Sequence, residues 1–193
     1  MPPACQHLFR QTDQVLVRRF LITGGPGSGK TVLARELAAA LGLPHIELDA
    51  LYHRPGWRPA DPVEFRAEVS RLIEQPGWVV DGNYHGPGVA AVVRAKADLI
   101  VALDLPRPVV LCRLLRRTAR RVLTGEELWN GNRETLRQLV NPRTSLLLYA
   151  HRAFGRYRRR AAADELASRS GGTAAVRLRS AGSVRRFVAY LTR

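Results

Sequence analysis

The chain has 193 residues, of which 46% are hydrophobic and 24% charged, a globular composition that excludes a disordered or fibrous protein. No apolar run reaches the ~18 residues needed to span a membrane, and the N-terminal stretch lacks the apolar segment and small-residue cleavage site of a secretory leader. The net charge is +15, but residues 1–106 hold 11 basic and 11 acidic side chains, so residues 107–193 carry all of the excess.

That half is built to meet anions, whether nucleotide phosphates, nucleic acid or an acidic surface. Only Lys30 and Lys96 are lysines; the other basic residues are arginines, as a GC-rich genome would also produce. Cys5 and Cys112 form no metal-ligand or disulfide pattern and read as reduced thiols of a cytoplasmic protein.

Taken in chain order, Phe20-Leu21-Ile22 reads as a buried strand, followed by a glycine-rich turn and a helix over about 30–41 that Gly42 ends. A second strand covers 45–48, and 52–61 is a loop rich in proline. Asp61-Pro62 reads as an N-cap with proline at the first helical position, opening a helix to about residue 74. Strands are expected at 78–80 and 99–103, then a long helix over 106–123 and a polar loop over 124–133. A basic helix over about 142–167, a fifth strand at 174–178 and a closing helix over 184–191 complete the chain. Short apolar strands alternating with helices predict an α/β domain with a parallel sheet.

The sharpest motif is Gly24-Gly25-Pro26-Gly27-Ser28-Gly29-Lys30-Thr31, which fits G-x-x-x-x-G-K-[ST] between a strand and a helix. Glycines let the backbone fold until several N–H groups point at phosphate oxygens, and the helix N-terminus adds partial positive charge. Lys30 then reaches the terminal phosphates and Thr31 offers a hydroxyl to Mg²⁺. No N-K-x-D guanine-reading element accompanies the loop, and a chain of this length suits phosphoryl transfer to a small acceptor better than a motor.

Ligands of open α/β sheets bind beyond the carboxyl ends of the strands. Asp49, Asp81 and Asp104 all lie there. Asp104 ends an apolar run as a Walker B residue would, which makes it a candidate for the metal shell, or it caps the next helix. Asp49 is the candidate base that orients an acceptor, or it serves a turn or a helix cap. Asp81, in Asp81-Gly82-Asn83-Tyr84, could bind acceptor or metal, or form an Asp-Gly turn. The helix from Pro106 places Arg113, Arg117, Arg120 and Arg121 near one face, with Arg133 just beyond. Guanidinium groups that close over a transferring phosphoryl stabilise its charge, so Arg117, Arg121 and Arg133 are the catalytic candidates beside Lys30 and Asp49. Arg54 and Trp57 offer a cation and an aromatic face beside the expected acceptor pocket; Asn83 and Tyr84 complete that set.

With these residues in place the chain resembles the adenylate kinase-like P-loop kinases. It is most similar to the group labelled DNA topology modulation proteins, through Leu48-Asp49, His53-Arg54-Pro55-Gly56-Trp57, Trp78 to Tyr84, Leu103 to Pro106 and Leu128-Trp129-Asn130-Gly131-Asn132-Arg133-Glu134. The resemblance implies a P-loop NTPase three-layer fold, a five-stranded parallel sheet of order 2-3-1-4-5 with helices on both faces. It implies one domain over residues 1–193, a lid near 123–135, and ATP with Mg²⁺ as donor. It places a small acceptor, whether nucleotide, nucleoside or hydroxylated metabolite, between the Asp49 loop and the Asp81 segment. The G-F-P-R-like segment of adenylate kinases is replaced here by Asp81-Gly82-Asn83-Tyr84. The expected partners are this acceptor and, through the basic half, weakly bound nucleic acid; no membrane is expected, and the protein is a monomer or dimer.

Overall fold

The computed structural model describes residues 17–84, 88–135 and 145–191. Five strands form one parallel sheet: β1 (Arg19–Gly24), β2 (His45–Glu47), β3 (Trp78–Asp81), β4 (Leu99–Leu103) and β5 (Ala174–Leu178). Their order is β2-β3-β1-β4-β5, as expected. Parallel strands buried on both faces must be apolar throughout, and every residue of β4 is buried.

Alternation along each strand separates two cores. Phe20, Ile22, Val79, Leu99, Val101 and Val176 face one side, where α1 (Lys30–Leu41) supplies Leu33 and Leu37. Leu21, Trp78, Val80 and Ile100 face the other. A short helix, α2 (Leu48–Tyr52), follows β2 directly. Phe65 and Val69 of α3 (Pro62–Leu72) and Val89 and Val93 of α4 (Val89–Lys96) close the second core. The chain continues through α5 (Arg107–Thr124), α6 (Leu146–Arg169) and α7 (Ala181–Leu191), the last packing Phe187 and Leu191 into the first core. Arg94 of α4 and Asp164 of α6 are joined by two hydrogen bonds of 2.7 and 3.0 Å.

Several boundaries agree with the sequence reading, notably those of α1, β4 and β5. The loop expected over 52–61 instead contains a two-stranded hairpin, His53–Arg54 with Arg58–Pro59, and α2 and α4 are short helices that the sequence reading left out. Cys5 and the expected start of the basic helix at Pro142 lie outside the described residues. Among the described residues, no helix is long and apolar enough to cross a membrane, and Cys112 is a free, exposed thiol.

Helix α3 begins as its sequence requires. Asp61 Oδ1 accepts from the N–H groups of Val63 (2.9 Å) and Glu64 (3.1 Å), and Pro62 occupies the first position, where a missing N–H costs nothing. Asp61→Ala removes both bonds. It is expected to lower stability by about 1 kcal/mol in urea denaturation, while Val63→Ala, at an exposed position of the same turn, leaves it nearly unchanged.

Candidate active site

The carboxyl ends of β1, β2 and β3 open into a cleft of about 1920 Å³. Single-ligand pockets span about 300–1,000 Å³, so this cleft has room for two molecules side by side. The phosphate-binding loop forms its floor. Gly27 adopts φ 80°, and a Cβ there would stand 2.6 Å from the Val110 carbonyl oxygen of α5, so only glycine lets the loop pass under that helix. Gly24, at φ 146°, is equally confined by the Leu103 carbonyl at 2.8 Å. Gly25 lies against the ring of Tyr157 from α6, whose edge would be 3.3 Å from a Cβ.

Lys30 is half-buried and donates to the Gly25 carbonyl at 3.3 Å. Burial pushes its pKa down, opposed by the carboxylates of Asp49, Asp81 and Glu47. Thr31 Oγ1 donates to Asp81 Oδ2 at 2.7 Å, and His45 Nε2 lies 2.8 Å from Asp81 Oδ1. Asp81 is 2% exposed, and a carboxylate at that depth is stable only because both oxygens are engaged. Asn83 donates to the Gly24 carbonyl at 2.6 Å, which ties the segment after β3 to the start of the loop.

Asp49, in the first turn of α2, accepts a short hydrogen bond from the Tyr84 hydroxyl. Burial and then Asp49 push the Tyr84 phenol far above its ordinary pKa, so it remains a donor. Tyr52, Phe65 and Tyr84 form an aromatic cluster behind this pair, with centroids 4.5–5.4 Å apart.

Helix α5 roofs the loop with arginines. Arg113 Nη1 donates to the Ser28 carbonyl at 3.5 Å. Arg117 is desolvated, and burial followed by the neighbouring Arg121 lowers its pKa, with Glu134 and Asp49 opposing. Arg121 pairs with Glu134 at 3.0 Å. Ser28 Oγ and Arg117 Nε are buried with no hydrogen-bond partner among the described residues, as groups that receive a ligand's oxygens would be.

The segment expected as a lid is docked on the loop after α2. Asn130 Nδ2 donates to the carbonyls of Ala50 (3.1 Å) and His53 (2.6 Å). Asn132, 3% exposed, accepts from Trp57 N at 2.8 Å and donates to the carbonyls of Arg54 (3.0 Å) and Trp129 (2.8 Å). The Trp57 indole N–H donates to the Arg133 carbonyl at 3.1 Å, and His53 stacks on Trp129 at 5.8 Å. The two non-glycine residues with positive φ among those described, Trp57 (59°) and Asn130 (57°), face each other across this contact. Asparagine tolerates that region, but for tryptophan it is a strained conformation, held by two bonds from the opposing segment.

Of the residues singled out by sequence, the structure brings Pro26 to Thr31 of the phosphate loop, Asp49, Trp57, Asn83, Tyr84, Arg117 and Arg121 to the cleft lining, with Asp81 directly behind Thr31; Gly24 and Gly25 precede the lining part of the loop. Three others are engaged elsewhere. Asp104, expected beside Thr31, accepts from Arg177 at 2.6 and 2.9 Å and is absent from the lining; Thr31 meets Asp81 instead. Arg54 points its guanidinium at Glu68, 3.6 Å away, and only its carbonyl joins the contact with Asn132. Arg133 is exposed beside Glu127 at 3.5 Å. Asn83 stays in the lining, with its side-chain amide bonded to the Gly24 backbone. Sequence reasoning gave no role to His45, Tyr157, Asn130 or Asn132. Only the asparagines carried a signal, as members of the stretch expected to form the lid.

Oxygen donors suit Mg²⁺, and Thr31 Oγ1 with the Asp81 carboxylate behind it provides them. Among the described residues no cluster of three or more His, Cys, Asp or Glu could hold a metal alone. That fits an ion that keeps most of its shell from water and substrate phosphates.

The chain is similar to several known proteins. The family model for the ATPase family associated with various cellular activities (AAA) matches residues 20–75. Cytidylate kinase from Pyrobaculum aerophilum is 31% identical over 142 residues, covering 66% of this chain and 73% of that protein. Adenylate kinase from Thermosynechococcus vestitus is 28% identical over 146 residues, covering 61% and 74%. The fold is also that of a gluconokinase from Sinorhizobium meliloti 1021, with a TM-score of 0.50 over 91% of this chain and 92% of that one at 21% identity. The chain belongs to the adenylate kinase-like P-loop kinases, and its activity is ATP-dependent phosphoryl transfer to a small acceptor.

Proposed function

We propose that the cleft holds Mg²⁺ and ATP on the phosphate loop and the acceptor between Asp49, Tyr84 and the Trp57–Trp129 wall. The observation that carries this reading is that one cleft gathers Lys30, Thr31 and Asp49 in its lining, with the Asp81 carboxylate hydrogen-bonded behind the Thr31 hydroxyl and the Tyr84 hydroxyl bonded to Asp49. Loop amides and Lys30 hold the β- and γ-phosphates. Thr31, aimed by Asp81, holds the metal, which when bound neutralises phosphate charge. His45 keeps Asp81 turned toward Thr31. Arg113 and Arg117, on the helix above the loop, stabilise the charge that spreads over the transferring group. Asp49, steadied by Tyr84, orients the acceptor for in-line attack. The segment over 125–135 acts as the lid. Its contact with the Trp57 loop closes the acceptor side, which keeps water from taking the phosphoryl group.

Three substitutions test this arrangement. Lys30→Ala is expected to lower ADP formation from ATP by about 10²–10³-fold across a panel of nucleotides and hydroxylated metabolites. Asp81→Asn is expected to raise the Mg²⁺ concentration needed for half-maximal rate, read from a magnesium titration. Asn132→Ala removes three buried hydrogen bonds and should cost about 1–3 kcal/mol in denaturant unfolding. In hydrogen exchange, its amides over 52–60 and 126–133 should lose protection together, while those of β1 and α1 keep theirs.

A further inference from the structure

Phosphoryl transfer to a small acceptor takes two chemical forms: attack by an oxygen of the acceptor's own phosphate, or attack by a hydroxyl. The side of this cleft facing Lys30 from α2 and β3 discriminates between them. It presents Glu47, Asp49, Tyr52, His53, Trp57 and Tyr84. Both carboxylates share the lining with Lys30 and Arg117 and oppose the fall of the Lys30 pKa, and Asp49 does the same for Arg117. Among the described residues, the two arginines on this side are already committed, Arg35 to Glu47 at 3.0 Å and Arg54 to Glu68 at 3.6 Å. The segment after β3, Gly82-Asn83-Tyr84, carries no cation, and its asparagine is bonded to Gly24. The other arginines of the lining come from α5 (Arg113, Arg117, Arg120, Arg121), α6 (Arg156, Arg160) and α7 (Arg185), and Arg117 and Arg121 meet Glu134.

A phosphate monoester brings up to two negative charges and is held by fixed guanidinium or ammonium groups. Here it would face a carboxylate instead. A hydroxyl has the opposite requirement: a group must accept its proton as oxygen attacks phosphorus. Asp49 is that kind of group, fixed by the Tyr84 hydroxyl and surrounded by rings that suit an apolar or ring face.

We infer that the acceptor is a ring-bearing hydroxyl compound without a phosphate group, with Asp49 as the residue that receives its proton. In the step, the acceptor oxygen forms a bond to the γ-phosphorus and the bond from that phosphorus to the β-bridging oxygen breaks. ADP leaves with the electron pair, and the hydroxyl proton passes to Asp49. This rests on the donor reading above and narrows its acceptor.

The test offers Mg²⁺ and ATP with adenosine, cytidine, ribose and inositol, each beside its own monophosphate, to wild type, Asp49→Asn and Lys30→Ala. Transfer to a non-phosphorylated member is expected to exceed that to its monophosphate by about 100-fold in kcat/KM. Asp49→Asn keeps the side chain's shape and an oxygen for Tyr84; it should lose about 100-fold or more of that transfer while its affinity for a non-hydrolysable ATP analogue stays within about threefold. With the donor site filled by that analogue, AMP and CMP should give no heat of binding. Tight binding of either monophosphate, or transfer to one that survives Asp49→Asn, overturns the inference and leaves the kinase reading standing. Loss of analogue binding in wild type would instead strike the donor reading itself.

Discussion

A carboxylate buried at the carboxyl end of the third strand holds this site together. Asp81 is tolerable at 2% exposure because the Thr31 hydroxyl takes one oxygen and the His45 imidazole the other. The three residues come from the first turn of α1, the edge strand β2 and the strand between β2 and β1. One hydrogen-bonded chain thus fixes the phosphate loop, its hydroxyl and the edge of the sheet relative to one another. Preorganisation of this kind lets donors meet developing charge without reorganising at the moment of reaction.

Around that centre the charges are arranged in opposition. Arginines of α5 come from above the loop, and carboxylates of β2 and α2 come from beside it, with Lys30 between. The acidic partners Glu126 and Glu134 hold Arg121, so the excess positive charge of the second half is partly neutralised within the cleft and partly spent on ion pairs remote from it, such as Arg177 with Asp104. The docked lid adds a mechanical link. Two asparagine side chains join it to the loop that carries His53 and Trp57, and the strained backbone of Trp57 is held by that contact.

The sheet was legible because burial on both faces writes each strand as an apolar run, and the phosphate loop because glycine spacing encodes its backbone directly. Helix α3 was legible from Asp61-Pro62, whose capping chemistry is local. What escaped was anything decided by long-range pairing. Asp81 and Asp104 both end apolar strands beside β1 and look alike in sequence; Arg177, 73 residues from Asp104, claims one and leaves the other to Thr31. Likewise Arg54 stands in the expected loop, but Glu68 of α3 draws its guanidinium away. His45 and Tyr157 gave no local signal, since their roles exist only once β2 lies beside β3 and α6 lies over Gly25. Helix α4 and the short α2 carry no capping side chain of their own, which removes the mark that identified α3.

The most direct measurement is calorimetric titration of the folded protein with a non-hydrolysable ATP analogue, in magnesium and again in chelator. The account predicts one site per chain, with affinity weakened by about tenfold or more, some 1.4 kcal/mol, when magnesium is withdrawn or Thr31 is replaced by alanine. Absence of binding by folded protein, or binding indifferent to both changes, would contradict it.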